Sequence, residues 1–370
     1  MSLKTGLISC TRFTPAAPLP GNFAVVFHDC LQSAAFRDFF PENEEKFRGW
    51  TGLQEILDTE FASAHHSLGD YRVFSLRVDR KTVPGALLRL RLLEAERRLL
   101  AERGAKKLFK EEREALREGI RRELLKQAPP VPALFDVCWS LSRGTVYFLS
   151  LSEKILQDFQ DLFHTSFALG IALRVPWTDP VGSSSPAGAA TRREDESPAA
   201  SSPSRQTGRE FLTWLWFKSE ERNGRIALAP DEEVLLVFVR RLVLAAGIGD
   251  YAESVVCQGQ HASLLEGKEA LRQGKTVREA RLSLEIDAAT WEFTFKADLF
   301  QFQAMKLPAP AEEWGEEREA GAEGRLLERI MLMEKAMDTM DRLFEIYTAL
   351  RESPSWSAEA ARLTAWMNKK

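Results

Sequence analysis

Five basic side chains recur at helical spacing in the second quarter of the 370-residue chain, and their chemistry suits contact with phosphate groups. They are Lys106, Lys110, Arg113, Arg117 and Arg121. At about 100° per residue, they fall within an arc of roughly 80° on one helix face, and we name them the basic stripe. Cations about one turn apart contact successive phosphates without reading bases. The alternative is a solvated helix whose cations pair with Glu111, Glu114 and Glu118.

Charge is segregated along the chain. Residues 77–126 contain 16 basic and 9 acidic residues, a net charge of +7, whereas the whole chain carries −4. The remaining residues therefore carry −11. A second tier of cations in the same segment comprises Arg97, Arg98 and Lys107. This balance excludes a protein that is basic all over, but it indicates one basic face for an anionic partner.

Two further motifs invite catalytic interpretations. Asp70, Asp79 and Lys81 resemble a nuclease core, in which carboxylates hold Mg²⁺ and a lysine stabilises the attacking water. The alternative is chance spacing on charged strands. Gly274-Lys275-Thr276 resembles part of a P-loop, but Glu269 stands where that loop requires glycine. We therefore expect a structural turn between a helix and a strand at that position, with no nucleotide cofactor.

Cysteine and histidine usage argues against a metal centre. Cys10, Cys30, Cys138 and Cys257 lie far apart with no C-x-x-C motif, which predicts free thiols in a reducing cytoplasm. Cys138 has no histidine nearby that would activate it as a nucleophile. The adjacent pair His65-His66 has no partner ligand close in sequence. No apolar run approaches the ~18 residues of a membrane span, so we expect a cytoplasmic protein with no membrane partner.

Helices and strands are predicted around the basic stripe in separate clusters. Apolar residues at intervals of three and four predict helices between Ala86 and Gln127, separated or kinked at Gly104. Proline residues at 129–132 end this helical block. Further helices are predicted at Glu153–Leu169 and Arg325–Leu350. Strands are predicted at Phe23–Phe27, Tyr71–Val78, Leu134–Leu141, Thr145–Leu151, Arg281–Ile286 and Trp291–Phe295.

Clustered strands and helices predict an α+β fold with mixed antiparallel sheets and long charged helices. The aromatic run Phe211–Phe217 could stack on bases, but so apolar a run favours burial in a core. Met331, Met333, Met337 and Met340 should line a helix contact. The predicted organisation is an N-terminal α+β region (1–83 and 130–180), a basic helical block within it (84–129), a flexible low-complexity insertion (181–207), a second α+β region (208–310) and an acidic turn segment with a C-terminal helical region (311–370).

From the helical block outward, the sequence resembles the recombination-associated protein RdgC family. Each cue is short, and the order and spacing of the cues carry the resemblance. The resemblance covers most of residues 1–350, without 181–207 and without the tail after Arg351. The cues are Gly49-Trp50, Lys81-Thr-Val-Pro84, Glu96, Gly104, Lys110-Glu111, Leu116-Arg-Glu118, Leu124-Leu125, Phe211-Leu-Thr-Trp-Leu-Trp216, Gly274-Lys275 and the helix from Arg325.

The resemblance implies a nucleoid-associated protein that binds double-stranded DNA without sequence preference. It also implies a ring-shaped homodimer that encircles the duplex and limits access of the RecA recombinase. Where family members carry a Lys-Lys-Gln fingertip, this chain has Gln258-Gly259-Gln260, and Gln260 alone matches. The family's Arg-Ala-Phe after the prolines is replaced by Pro130-Val-Pro132.

These observations predict non-specific binding of double-stranded DNA by a homodimer, in recombination or nucleoid organisation, without metal or cofactor. The predicted DNA contacts are the basic stripe, the second tier and Gln260. Two alternatives remain. One is a Mg²⁺-dependent DNA exonuclease centred on Asp70, Asp79 and Lys81. The other is a helical scaffold for protein interactions, in which the charged block only solvates a partner-binding face.

Overall fold

The structure is a computed structural model that describes residues 2–21, 23–37, 44–61, 66–104, 106–177, 203–246, 253–259, 265–309 and 321–369. The chain divides into two compact units: unit 1 comprises 1–21, 67–72 and 136–370, and unit 2 comprises 22–66 and 73–135. The elements are β1 (Ile8–Pro15), α1 (Phe23–Ser33), β2 (Lys46–Gly52), β3 (Ser67–Leu68), β4 (Tyr71–Lys81), α2 (Gly85–Arg103), α3 (Lys110–Gln127), β5 (Pro130–Ser140), β6 (Thr145–Phe148), α4 (Glu153–Phe167), β7 (Ile171–Leu173), α5 (Pro203–Glu221), β8 (Arg225–Ala229), β9 (Glu232–Ala245), β10 (Ser254–Gln258), α6 (Leu265–Arg272), β11 (Thr276–Ile286), β12 (Ala289–Lys296), β13 (Gln301–Lys306), α7 (Ala322–Glu352) and α8 (Trp356–Asn368).

Antiparallel pairing of strands confirms the predicted α+β class. In unit 1 the strand order is β10-β9-β11-β12-β13-β1-β6-β5, with β8 beside β9 and β7 beside β1. The two predicted strands β11 and β12 are antiparallel neighbours, and they pair Leu282 with Phe293 and Leu284 with Trp291. All four of these side chains are buried. The alternating apolar positions thus mark the covered face of this sheet.

Helices α5 and α7 supply much of the core of unit 1. The aromatic run Phe211–Phe217 lies within α5, and its large side chains are buried, as predicted. On α7 the side chains of Met333, Met337 and Met340 are also buried. Met331, predicted to line the same contact, is instead 58% exposed, because its position on the helix points away from the buried face.

The predicted strand at Phe23–Phe27 is wrong, since these residues begin the helix α1. Phe23, Phe27 and Leu31 are buried and recur every four residues, whereas Val25 is 77% exposed. A spacing of four places side chains on one helix face. The short run of β-branched and aromatic residues resembled a strand, but the period over three turns is helical.

The segment predicted as an insertion lies mostly outside the described residues, which resume at 203. Its last five residues, 203–207, lie in α5. The tail after Arg351 adds α8, whose Trp366 is buried and donates a hydrogen bond to Glu220 of α5 over 2.7 Å. Gly274-Lys275 forms the predicted turn between α6 and β11. Across the described ranges, no helix combines the length and apolarity that crossing a bilayer requires.

Gly49, part of the Gly-Trp cue, is required by a close backbone approach in unit 2. A Cβ at this position would lie 2.4 Å from Cα of Phe36. The contact is fixed because the Phe36 N–H donates to the Trp50 carbonyl over 2.8 Å. We expect Gly49→Ala to lower the free energy of unfolding by about 1–3 kcal/mol.

The matched control for this prediction is Gly119→Ala on α3. A Cβ at Gly119 meets nothing within 4 Å. Alanine in an exposed helix interior raises the free energy of unfolding by up to about 1 kcal/mol. Urea denaturation followed by circular dichroism measures both changes. If the two substitutions change the free energy of unfolding equally, the contact with Phe36 does not explain why glycine is required at position 49.

Candidate nucleic-acid interface

Helices α2 and α3 form a helical hairpin in unit 2, and this hairpin carries the predicted DNA-binding cations. Gly104, where the two helices are predicted to separate or one helix to kink, separates them: it adopts the left-handed conformation with φ 63° and ends α2. Glycine reaches this conformation without a steric penalty. The apolar positions that defined the two helices, from Leu88 to Leu124, are half-buried, and α2 packs against α3.

The basic stripe is shorter on the helix than predicted. Helix α3 begins at Lys110, so Lys106 lies in the connection before it. The helix starts here because Glu112 accepts a hydrogen bond from the Phe109 N–H over 3.0 Å. Glu112 also accepts one from Arg103 of α2 over 2.6 Å. These two bonds lower the pKa of the Glu112 carboxyl, the Phe109 bond having the larger effect.

Two members of the stripe are held in ion pairs. Arg113 donates to Glu96 of α2, and Arg121 donates to Glu45 over 2.6 Å. The hydrogen bond to Glu45 is the main cause that raises the pKa of Arg121. Of the glutamates proposed as intrahelical partners, Glu118 lies 3.5 Å from Arg121. These ion pairs neutralise part of the stripe; one joins α3 to α2, and the other joins α3 to the segment before β2.

The other three members remain available to a ligand. Lys106, Lys110 and Arg117 are exposed, and none forms an ion pair with a carboxylate in the described part of the chain. Arg97, Arg98 and Lys107 of the second tier are also exposed, and none of them pairs with a carboxylate among the residues that the structure describes. These six cations therefore carry charge that no described carboxylate neutralises. Gln260, the fingertip match, lies outside the described residues.

The carboxylates of the nuclease hypothesis have other partners. Asp79 is 3% exposed, and Arg77 donates to both of its oxygens over 2.8 Å. Burial would raise the pKa of Asp70, but hydrogen bonds from Ser142 and Ser140 lower it below its ordinary value. Asp70 belongs to unit 1, whereas Asp79 and Lys81 belong to unit 2. Among the described residues, no three His, Cys, Asp or Glu side chains converge to hold a metal ion.

The thiols of Cys10 and Cys138 are buried in unit 1, so that neither is poised as a nucleophile. Burial raises the pKa of Cys10 from 9.0 to about 12 and that of Cys138 well above 9.0. A thiolate is the reactive form of cysteine, and burial disfavours it.

This burial predicts that the protein loses stability at alkaline pH. The unfolded thiol ionises near pH 9, while the folded thiol of Cys10 stays protonated up to about pH 12. The contribution of the Cys10 thiol to the free energy of unfolding is therefore fully present below pH 9. It is lost as the pH rises from 9 towards 12, by up to about 1.4 kcal/mol per pH unit. Urea denaturation across this range measures the slope. Cys10→Ala should show a shallower slope, and an unchanged slope would contradict the assignment.

Sequence reasoning missed one exposed residue in the connection between α2 and α3. Phe109 is 79% exposed and directly precedes Lys110. The signal that could have found it is a large aromatic residue among three lysines, outside the apolar periodicity of either helix.

The part of the chain that contains the helical hairpin matches a known protein family. Residues 13–178 match the family model described as "Putative exonuclease, RdgC". No curated protein matches the chain. The matched residues include all of unit 2 and therefore the whole helical hairpin with its cations. The match confirms, over residues 13–178, the resemblance to the RdgC family that the sequence motifs indicate.

Proposed function

We propose that this protein binds double-stranded DNA without sequence preference through the helical hairpin of unit 2. The observation that carries the proposal is the set of exposed cations that no described carboxylate neutralises. Lys110 and Arg117 lie on one face of α3, and Lys106 lies just before this helix. Lysine and arginine side chains of this kind bind phosphates and release the counterions condensed on the duplex. They contact no base edge, so binding is independent of sequence.

The ion pairs of the hairpin assign different roles to the other arginines. Arg113 and Arg121 pair with Glu96 and Glu45, so their charge is partly neutralised and they contribute less to phosphate binding. The second tier, with Arg97 and Arg98 on α2 and Lys107 after this helix, would extend the contact along the duplex. If all six unneutralised cations contact phosphates, the logarithm of the binding constant should fall with the logarithm of the salt concentration with a slope of about −5 for each bound hairpin.

The proposal includes a homodimer that acts in recombination, with modulation of RecA, or in nucleoid organisation. The match to the RdgC family supports it, since the resemblance implies a dimer that encircles DNA. Two copies of the hairpin would double the number of phosphate contacts. Sedimentation velocity at several protein concentrations tests the dimer independently of DNA.

Phosphodiester cleavage is the second candidate, because the matching family model is described as "Putative exonuclease, RdgC". Its strongest residue candidate, Asp79, would have to exchange the bidentate Arg77 contact for a metal ion. Cleavage of an end-labelled duplex in Mg²⁺, abolished both by EDTA and by Asp79→Asn, would support it. An intact label at all protein concentrations would exclude it under those conditions.

The experiment that tests DNA binding is fluorescence anisotropy of a labelled duplex, titrated at several salt concentrations with EDTA present. We expect equal affinity for unrelated sequences and a steep loss of affinity with salt. No binding at low salt would overturn the proposal. The charged hairpin would then be better explained as the solvated face of a protein-interaction scaffold.

A further inference from the structure

The connection between α2 and α3 places a large apolar ring in solvent. Phe109 is 79% exposed, although a phenylalanine side chain normally gains from burial. The backbone at this position is well held. Its N–H donates to Glu112 over 3.0 Å, its carbonyl accepts from the Arg113 N–H over 3.1 Å, and Arg103 in turn holds Glu112. The ring is therefore presented to solvent from a fixed backbone.

The charges around Phe109 define the chemistry of its partner. Lys106 and Lys107 precede it, Lys110 follows it, and all three are exposed. None of the three pairs with a carboxylate among the described residues. A partner that fits this surface carries several negative charges and offers a flat apolar face between them. Nucleic acid with an accessible base combines phosphates with such a face.

We propose that Phe109 stacks on an unpaired base, so that the protein prefers duplex DNA interrupted by a single-stranded gap over intact duplex. The proposal rests on the proposed function, to which it adds a class of substrate. In an intact duplex, each base face is covered by its neighbours, and only the lysines contribute. At a gap, the ring gains a stacking surface while the same lysines contact the flanking phosphates. Stacking by an aromatic residue is tolerant of base identity, which agrees with binding without sequence preference.

The test compares two labelled DNA molecules of equal length and ends, one fully paired and one with a central gap of several nucleotides. Anisotropy titrations are performed at one salt concentration in EDTA. We expect Phe109→Ala to lower the affinity for gapped DNA by about 10-fold and to leave the affinity for intact duplex unchanged. Phe109→Trp should retain the preference, because the larger ring also stacks.

Leu90→Ala is the matched control. Leu90 is an exposed apolar residue of the same hairpin, on α2, with 55% exposure. Its loss should not change the preference for gapped DNA, because an aliphatic side chain offers no stacking face. A 2-aminopurine base placed in the gap gives a second readout. Its fluorescence should be quenched on binding of the unaltered protein and of Phe109→Trp, and much less on binding of Phe109→Ala.

The possible outcomes separate this inference from the function on which it rests. Absence of binding to either DNA overturns the proposed function itself. Binding of intact duplex with no preference for gapped DNA, or an equal loss for both in Phe109→Ala, overturns the stacking role alone. Two controls test other partners of an exposed ring flanked by lysines. The stacking role is also overturned if Phe109→Ala loses the dimer in sedimentation velocity without any change in its preference for gapped DNA. The same conclusion follows if Phe109→Ala loses binding to phosphatidylglycerol vesicles while that preference is unchanged.

Discussion

Charge reversal at Lys110 and Arg117 is expected to weaken binding to every duplex sequence alike, by at least about 60-fold near 0.1 M salt. The estimate assumes two lost phosphate contacts, each of which changes the log–log salt slope by about 0.9. These positions are chosen because both side chains are exposed and neither forms an ion pair with a described carboxylate. Their replacement therefore removes contacts with a ligand without leaving a partner carboxylate unpaired.

The salt dependence separates a lost contact from a general change of charge. We expect the slope of the Lys110→Glu/Arg117→Glu protein to be smaller than that of the unaltered protein by about 1.8 for each bound hairpin, or about 3.6 for a dimer that uses both. The control protein, Lys154→Glu/Lys306→Glu, has the same net charge. Both of its altered residues are exposed lysines of unit 1, and no described carboxylate pairs with either. An equal loss of affinity in both proteins would show that net charge, and not the hairpin, controls binding.

The single substitution Arg113→Glu should behave differently from Arg117→Glu. Arg113 already pairs with Glu96, so reversal places two carboxylates together between α2 and α3. Like charges at this distance destabilise the hairpin. A lower affinity of Arg113→Glu for DNA would thus reflect a displaced helix and added negative charge rather than the loss of one of the six proposed phosphate contacts. Arg117→Glu reports on the contact alone.

The second large effect is expected on stability, at the buried ion pair between β1 and α7 in unit 1. Arg12 is 3% exposed, and its two terminal nitrogens donate to both oxygens of Asp341 over 2.7 Å. The guanidinium also lies 5.4 Å from the ring centre of Phe300 and 5.6 Å from that of Phe302. Arg12→Ala should lower the free energy of unfolding by about 3 kcal/mol, the lower end of the range for a buried pair. Asp341 loses both hydrogen bonds, but its side chain is 18% exposed and it keeps a second cation, Arg174, at 3.9 Å.

An exposed pair on the same helix provides the control. Arg342 donates to both oxygens of Glu232 over 2.7 Å, but both side chains are more than 40% exposed. Arg342→Ala should cost less than about 1 kcal/mol, because water solvates the carboxylate that remains. Urea denaturation curves give both values. A similar cost for the two substitutions would mean that burial does not set the contribution of Arg12.

The double variant Arg12→Met/Asp341→Leu distinguishes the ion pair from the space it fills. Replacing a buried pair by apolar residues of similar volume is often neutral. We therefore expect the double variant to recover most of the stability lost in Arg12→Ala. Failure to recover would indicate that the arginine acts mainly through its packing against Phe300 and Phe302.

The α+β class and a helical block that is separated or kinked at Gly104 follow from the sequence alone; the structure shows that the chain there forms two helices. These features depend on local rules: apolar periodicity over several turns, and the conformational freedom of glycine. The segregation of charge can also be read from the sequence, because it depends only on how many charged residues each segment contains. Short runs are less informative. Phe23–Phe27 has the composition of a strand, and five residues do not separate a period of two from one of 3.6.

Which cations of the basic stripe stay available to a ligand depends on contacts from distant parts of the chain. Glu96 and Glu45 reach Arg113 and Arg121 from other elements, so no local spacing on α3 could have revealed these pairs. The start of α3 after Lys106 likewise depends on Glu112, which is held by Arg103 of the other helix. The exposure of Phe109 and the close approach at Gly49 are also tertiary facts. A sequence states the type and order of side chains, but burial and pairing depend on which distant residues fold against them.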